Sequence, residues 1–347
     1  DLFQNSYNYK HGFLQTCLMF IGEYLNLILF AVSIAGEGAR NNHFREMRTE
    51  AIKSNKSLHC SKIRMGLASA FDSIGSSLQI TSLLLIPASV NQMLRGGVIA
   101  FTCLLSKIFL KTQVYSHHLL GIAICILGFI LVGIATIVGS DSSSTSGPST
   151  GLVIVGILMV VASLFVQAGQ FVYEEVLLTK YEVPPQRMVG IEGLFGIIFL
   201  FNWTMIFSFI KCPSNDMCDI RGYFEDPVTG LKQLFSEWGL LAWSCVTICS
   251  IMFFNNYGLM LTKYVSSVFR AFWDASRTVL VWAVSLTFGL ETFVLKVFLI
   301  QVAGFICLLL GNFIYNEVIE IKFLGLNKNL RKYRASAQSK VESIQDE

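Results

Sequence analysis

The residues of this chain best placed to do chemistry are charged side chains set inside apolar stretches. Arg95 lies in Val90-Asn91-Gln92-Met93-Leu94-Arg95-Gly96-Gly97-Val98-Ile99-Ala100-Phe101, and Arg270, Asp274 and Arg277 lie in a second such stretch. An ionised group at membrane depth costs at least ~2.5–3.5 kcal/mol on insertion scales, so it faces a bundle interior or a watery cavity and pairs there. At i, i+4 and i+7 the trio shares one helix face and can form an Arg–Asp–Arg ladder. One carboxylate cannot neutralise two guanidiniums, so positive charge remains unless Glu192, Asp72 or a ligand anion balances it. The guanidinium fork suits a carboxylate or phosphate because it donates two parallel hydrogen bonds. The chemistry expected is anion recognition in a polar pathway; the competing reading is an ion-pair network that pins helices.

Other polar side chains extend that pathway. Asp72 shares a face with Ser76 and Gln79, and is a candidate for ligand contact or proton coupling. Glu192 lies in the stripe Gly190, Gly193, Gly196, whose small residues let helices approach closely. Gln167, Gln170 and Glu174 form a polar stripe expected to face the cavity, although Glu174 and Glu175 are near a helix end where pairing with Lys180 or solvation is the plainer reading. Glu23 reads as a packing residue, with proton coupling as the alternative. His117 and His118 have no Cys or second His pair at ligand spacing, so no metal site or cofactor is read. There is no G-x-x-x-x-G-K-[ST] loop, no nucleophile–base constellation and no sign of a nucleic-acid partner, so the reading is not an enzyme.

The elements that position these residues must be membrane helices. The 347 residues are 53% hydrophobic and only 14% charged, which no soluble globular domain matches. A span needs ~20 mostly apolar residues. Nine segments qualify, at about 13–35, 65–86, 88–110, 118–139, 151–178, 187–210, 236–262, 265–289 and 292–318. Seventeen Lys and Arg fall on the face of loop 36–64 and the tail, against five on the face of residues 1–12 and loop 211–235. The first face is therefore cytosolic. Nine spans put residue 1 on the other face, and a further span is expected ahead of it. Cys212 and Cys218 bracket five residues of the lumenal loop, where a disulfide and two free thiols are both open.

The polar, breaker-rich segment 140–150 separates two halves, 1–139 and 151–318, with a cytosolic tail 319–347. Sliding the chain on itself by 179 residues pairs Ser106-Lys107-Ile108-Phe109 with Ser285-Leu286-Thr287-Phe288 and sets Arg95 opposite Asp274; after a three-residue gap Gly128-Phe129 meets Gly304-Phe305. A duplicated helix set with its site between the copies is expected.

These residues resemble a known family. Gln92-Met93-Leu94-Arg95-Gly96, Phe101-Thr102, Gly121-Ile122 through Gly128, Glu174-Glu175 with Lys180, Gly190-Ile191-Glu192-Gly193-Leu194-Phe195-Gly196, and Arg270 to Trp282 are similar to the drug/metabolite transporter superfamily. Within it they resemble subfamily F of the solute carrier 35 group and the related chloroquine-resistance-transporter-like proteins. The resemblance implies an all-α polytopic membrane protein of ten helices in two inverted five-helix repeats, of which this chain lacks the first. It implies a secondary transporter cycling between inward-open and outward-open states. Members that exchange nucleotide sugars carry a Lys-Tyr pair, matched here by Lys263-Tyr264, and a substrate-contacting lysine where Arg270 stands. Their fourth-helix lysine falls near Val98, with Arg95 one turn earlier. That departure puts nucleotide-sugar specificity in question and keeps an anionic ligand.

The substrate contacts expected are Gln92, Arg95, Asp72, Glu192, Lys263, Arg270, Asp274 and Arg277. The partners expected are the lipid bilayer, a small, anionic organic metabolite, a proton or counter-substrate in antiport, and a homodimer or larger membrane assembly. The membrane is a Golgi or lysosome-type endomembrane, with the mitochondrial membrane as alternative. A second function class stays open, a membrane subunit that kept the carrier fold but serves as a scaffold without transport.

Overall fold

The computed structural model describes residues 9, 11–83, 85–86, 88–113, 115–142, 150–209, 226–274, 277, 295–315 and 317–319. Among them the helices are α1 (Gly12–Ser33), α2 (Glu37–Lys53), α3 (Lys62–Leu83), α4 (Ala88–Arg95), α5 (Val98–Phe109), α6 (Ser116–Ser142), α7 (Thr150–Lys180), α8 (Pro185–Phe207), α9 (Pro227–Ser236), α10 (Trp238–Tyr264) and α11 (Leu295–Tyr315). A further helical segment covers 267–274. Seven stretches among the described residues are long and apolar enough to cross a membrane. They answer to seven of the nine expected segments. Segment 65–86 falls mostly in α3, made less apolar by Asp72, Gln79 and a run of serines. Most of 265–289 lies outside the described residues, as do Cys212, Cys218, residues 143–149 and the tail beyond 319.

Three expectations change. Segment 88–110 is not one regular helix, because α4 ends at Arg95 and the chain turns at Gly96 and Gly97 before α5. The turn is closed by Gly96 N–H to Met93 C=O (3.2 Å), Gly97 N–H to Leu94 C=O (2.9 Å) and Ala100 N–H to Gly97 C=O (3.1 Å), the tighter i→i+3 pattern. Loop 36–64 contains α2, a polar helix that a hydropathy reading passes over. Loop 211–235 contains α9, started by Pro227 at its first position and by Asp226 Oδ1, which accepts from Val228 N–H (3.1 Å) and Thr229 N–H (3.2 Å).

The packing is inverted relative to a water-soluble protein. Ile126, Ile130 and Ile134 line an outward stripe of α6, and Phe201, Trp243 and Phe253 also face out. Glu23, Asn26, Glu174, Glu192 and Asp274 are buried. Apolar side chains meeting lipid cost nothing, whereas polar ones need partners inside the bundle. Helix contacts are set by small residues. An added Cβ on Gly193 of α8 would lie 2.4 Å from Tyr24 N, so α1 and α8 touch backbone to backbone. A Cβ on Gly128 of α6 would lie 2.5 Å from the carbonyl oxygen of Gly304 in α11.

The two ends of the bundle group the loops as the charge count expects. Ser57 N–H donates to Lys180 C=O (3.0 Å) and Glu182 N–H to Ser57 C=O (2.9 Å), forming a one-residue parallel bridge between Ser57 and Tyr181. At the other end Tyr9 packs with Leu234 and Leu240, and Gly230 lies against the ring of His11.

Candidate functional site

Two polar centres occupy the interior. The first is a cavity of about 330 Å³ toward the start of α1, the end of α3 and the first turns of α10. Arg95 lines it from the last residue of α4, with Gln92 one turn earlier on the same face. Gln15 of α1 and Ser76 and Gln79 of α3 also line it. Gln79 Nε2 donates to Asn91 Oδ1 (2.7 Å), and Asn91 Nδ2 donates to Ser82 Oγ (2.6 Å), fixing α4 against α3.

Arg95 Nε is 3.7 Å from Asp274 Oδ2, and Arg277 Nη2 is 2.8 Å from Asp274 Oδ1. Neither arginine nitrogen completes a hydrogen bond, nor does Asp274 Oδ2. The Arg95 side chain remains 20% exposed, against 5% for Asp274. Arg277 also stacks over the Phe254 ring, 4.6 Å from its centroid.

The second centre is acidic and lies among α3, α7 and α8. Arg270 pairs with the fully buried Glu174 and lies over the Phe171 ring at 4.4 Å. Gln170 Nε2 donates to Glu174 Oε1 (2.9 Å) and to Asp72 Oδ2 (3.5 Å), and Ser76 Oγ donates to Asp72 Oδ1 (3.0 Å). Glu192 lies in electrostatic range of Glu174, Glu23, Arg270 and Asp72, with its Oε1 buried and unbonded. Glu23 accepts from Asn255 Nδ2 at 2.5 Å through Oε1, while its Oε2 is buried and unbonded. Four carboxylates thus lie within electrostatic range of one guanidinium, Glu174 in direct contact with it.

The eight expected contacts therefore divide. Gln92, Arg95, Asp274 and Arg277 gather at or beside the cavity, and Asp72, Glu192 and Arg270 belong to the acidic centre. The Arg270–Asp274–Arg277 ladder is split, because Asp274 already faces two arginines and Arg270 turns to Glu174. Lys263 stands apart from the cavity lining, at the end of α10. It pairs with Glu182 and donates to Val183 C=O (3.4 Å), and Glu182 also meets Lys56 at 3.6 Å.

Glu174 was the residue most underrated by the sequence, where Lys180 was its nearest cation; the fold supplies Arg270 instead. Glu175 Oε2 accepts the N–H of Ser267 (2.7 Å), a role as distant in sequence. Glu317 joins His117 and His118 across 200 residues, with His117 Nε2 3.2 Å from Glu317 Oε1. Their donor atoms fall within 4.8 Å of one another, a spacing that could hold a metal ion. However, Tyr115 N–H donates to His118 Nδ1 (3.0 Å), which leaves the proton on Nε2 and makes that atom a poor ligand.

Fold and site together define a polytopic helical membrane protein with a cavity lined in part by Arg95. The chloroquine-resistance-transporter-like family model matches residues 24–221. The chain is 33% identical over 313 residues to solute carrier family 35 member F6 of Homo sapiens, covering 89% of this chain and 79% of that protein. It is 32% identical over 312 residues to the Mus musculus protein of the same name, with the same coverage. A Schizosaccharomyces pombe protein, uncharacterized protein C12G12.12, is 34% identical over 260 residues, 75% of each chain. This chain belongs to the chloroquine-resistance-transporter-like, solute carrier 35 F-type family of membrane transporters.

Proposed function

We propose that the chain is a secondary-active carrier that moves a small anionic organic metabolite by alternating access through the cavity lined by Arg95. The observation that carries this reading is the condition of that side chain: charged, within reach of the cavity, and without a hydrogen bond among the described residues. A guanidinium left with an open fork beside a partly open cavity is suited to an incoming acid group. A scaffold that only kept the carrier fold would neutralise its charges internally. Here Arg95 stays partly exposed beside the cavity and completes no hydrogen bond with its partner Asp274.

The cavity lies between two inverted repeats, helices two to five of a ten-helix plan in 1–139 and helices six to ten in 151–318, joined by 140–150. Supporting this, residues equivalent at the 179-residue offset, Arg95 and Asp274, stand in ion-pair contact. Gly128 and Gly304, equivalent after the gap, meet across α6 and α11. Repeats related by a two-fold axis bring equivalent residues together near that axis.

The acidic centre is the coupling site. Four carboxylates against one guanidinium leave charge that lipid-embedded protein tolerates poorly, so protons taken up and released there drive exchange. The carrier works in an endomembrane of Golgi or lysosome type. Uptake of labelled organic acids into proteoliposomes tests the reading. Saturable uptake lost in Arg95→Ala, with thermal stability retained, is expected. Wild-type uptake surviving in Arg95→Ala would overturn it.

A further inference from the structure

We propose that Asp72 links the two centres, so that capture of an anion by Arg95 and uptake of a proton on Asp72 favour each other. The inference rests on reading the cavity as the anion site and the acidic centre as the proton site. It adds the side chain through which one acts on the other, and the sign of the effect.

Asp72 stands between the centres by placement. It lies one turn before Ser76 on α3, and Ser76 lines the cavity, as Arg95 does, while its Oγ donates to Asp72 Oδ1 (3.0 Å). Asp72 Oδ2 accepts from Gln170 Nε2 (3.5 Å), the amide that also donates to Glu174 Oε1 (2.9 Å). Glu174 in turn pairs with Arg270. A chain of polar contacts thus runs from the cavity wall to the buried guanidinium.

Charges act on Asp72 from each helix that α3 packs against, α1, α4, α7 and α8. Arg95 at the end of α4 and Arg270 attract its charge, whereas Glu23 of α1, Glu174 of α7 and Glu192 of α8 repel it. Asp274 is differently placed, because it meets Arg95 and Arg277 directly. Asp72 makes no ion pair among the described residues, and its two contacts are a neutral hydroxyl and a neutral amide. A carboxyl held by neutral partners in a field of mixed sign is the one that a nearby change of charge can tip.

The sign follows from Coulomb's law. An anion seated on Arg95 offsets the positive charge that attracts the Asp72 carboxylate, so a proton binds there more readily. By reciprocity a proton on Asp72 removes a negative charge that competes for Arg95, and the anion binds more tightly. The loaded carrier therefore holds anion and proton together.

The test begins without a ligand. Arg95→Gln removes the charge that an anion would offset, and Arg95→Lys keeps it. The carboxylic acid band of Asp72 in the infrared spectrum of the purified full chain, assigned by its absence in Asp72→Asn, reports the proton. Its pH midpoint should lie about one unit higher in Arg95→Gln than in wild type, about ten-fold in proton affinity. Arg95→Lys should stay close to wild type, a rescue that a merely misfolded site would not show. In proteoliposomes, uptake of labelled organic acids should quicken as the pH on the loading side falls, and Asp72→Asn should lose that dependence. Equal midpoints in wild type and Arg95→Gln would overturn the proposal. So would uptake that needs Arg95 yet keeps its pH dependence in Asp72→Asn, and the anion reading would then survive alone. If the midpoint moves as expected but no organic acid is taken up, the transport reading fails while the Arg95–Asp72 linkage stands.

Discussion

Arg95 Nε stands 3.7 Å from Asp274 Oδ2, and neither atom completes a hydrogen bond. The pair is held by charge rather than by aligned donors. Rotation of the guanidinium toward a ligand therefore breaks no directional bond. Arg95→Lys keeps the charge and loses the fork, so its uptake should fall nearly as far as that of Arg95→Ala. Initial rates in proteoliposomes, normalised to folded protein, check this.

Arg270 has the opposite character. Its partner Glu174 is fully buried, and removing one member of a buried pair leaves the other charge uncompensated at ~3–5 kcal/mol. Arg270→Ala should thus lower the unfolding midpoint of the detergent-solubilised protein sharply. The double variant Arg270→Met/Glu174→Gln should recover most of the loss, separating pair breakage from a role in substrate contact.

The arginine trio was legible because intramembrane charges are rare enough to stand out in apolar runs, and the 179-residue offset set Arg95 opposite Asp274. Periodicity could not divide the trio. Arg270 and Arg277 share a helix face with Asp274, and what separates them is the partner across the gap: Glu174, 96 residues away, for Arg270. The turn after Arg95 was written in Gly96-Gly97 but masked by apolar residues on both sides. Helix α2 was hidden for a related reason: its charged, low-contrast sequence looks like a solvated loop. Glu23, read as packing, keeps one oxygen on Asn255 and the other unbonded, a division that only the α1–α10 contact reveals.

The coupling proposal makes a separable prediction at Glu192. In Glu192→Gln, uptake driven by an imposed pH gradient should be lost, while counterflow of labelled against unlabelled substrate continues. Equal loss of both would assign Glu192 to the transport cycle itself rather than to the proton.

Close helix approach can be tested by two alanines. Gly193→Ala drives a methyl against Tyr24 N at 2.4 Å, whereas nothing lies within 4 Å of a Cβ at Gly133. Overpacking costs ~1–3 kcal/mol, and glycine-to-alanine in an open helical position returns up to ~1 kcal/mol. Gly193→Ala should lower the melting midpoint, and Gly133→Ala should leave it level or raise it.

At the end opposite the cavity, Glu182 holds Lys263 and meets Lys56. Glu182→Gln removes both ion pairs while keeping the side-chain shape. Cysteines introduced in the last turn of α10 should then react faster with a membrane-impermeant thiol reagent added from that side.

The eight-residue α4 has a mechanical consequence. Gly97 is wedged against the Phe129 ring, 2.9 Å from where a Cβ would stand, so α5 is anchored to α6 just beyond the turn. Arg95 precedes that anchor on a helix whose Asn91 is tied to Ser82 of α3 and whose Val90, Met93 and Leu94 are buried in the core. Its backbone is thus clamped from both sides. Only the long side chain is left to swing, so the cation can be offered to a ligand without hauling a membrane helix.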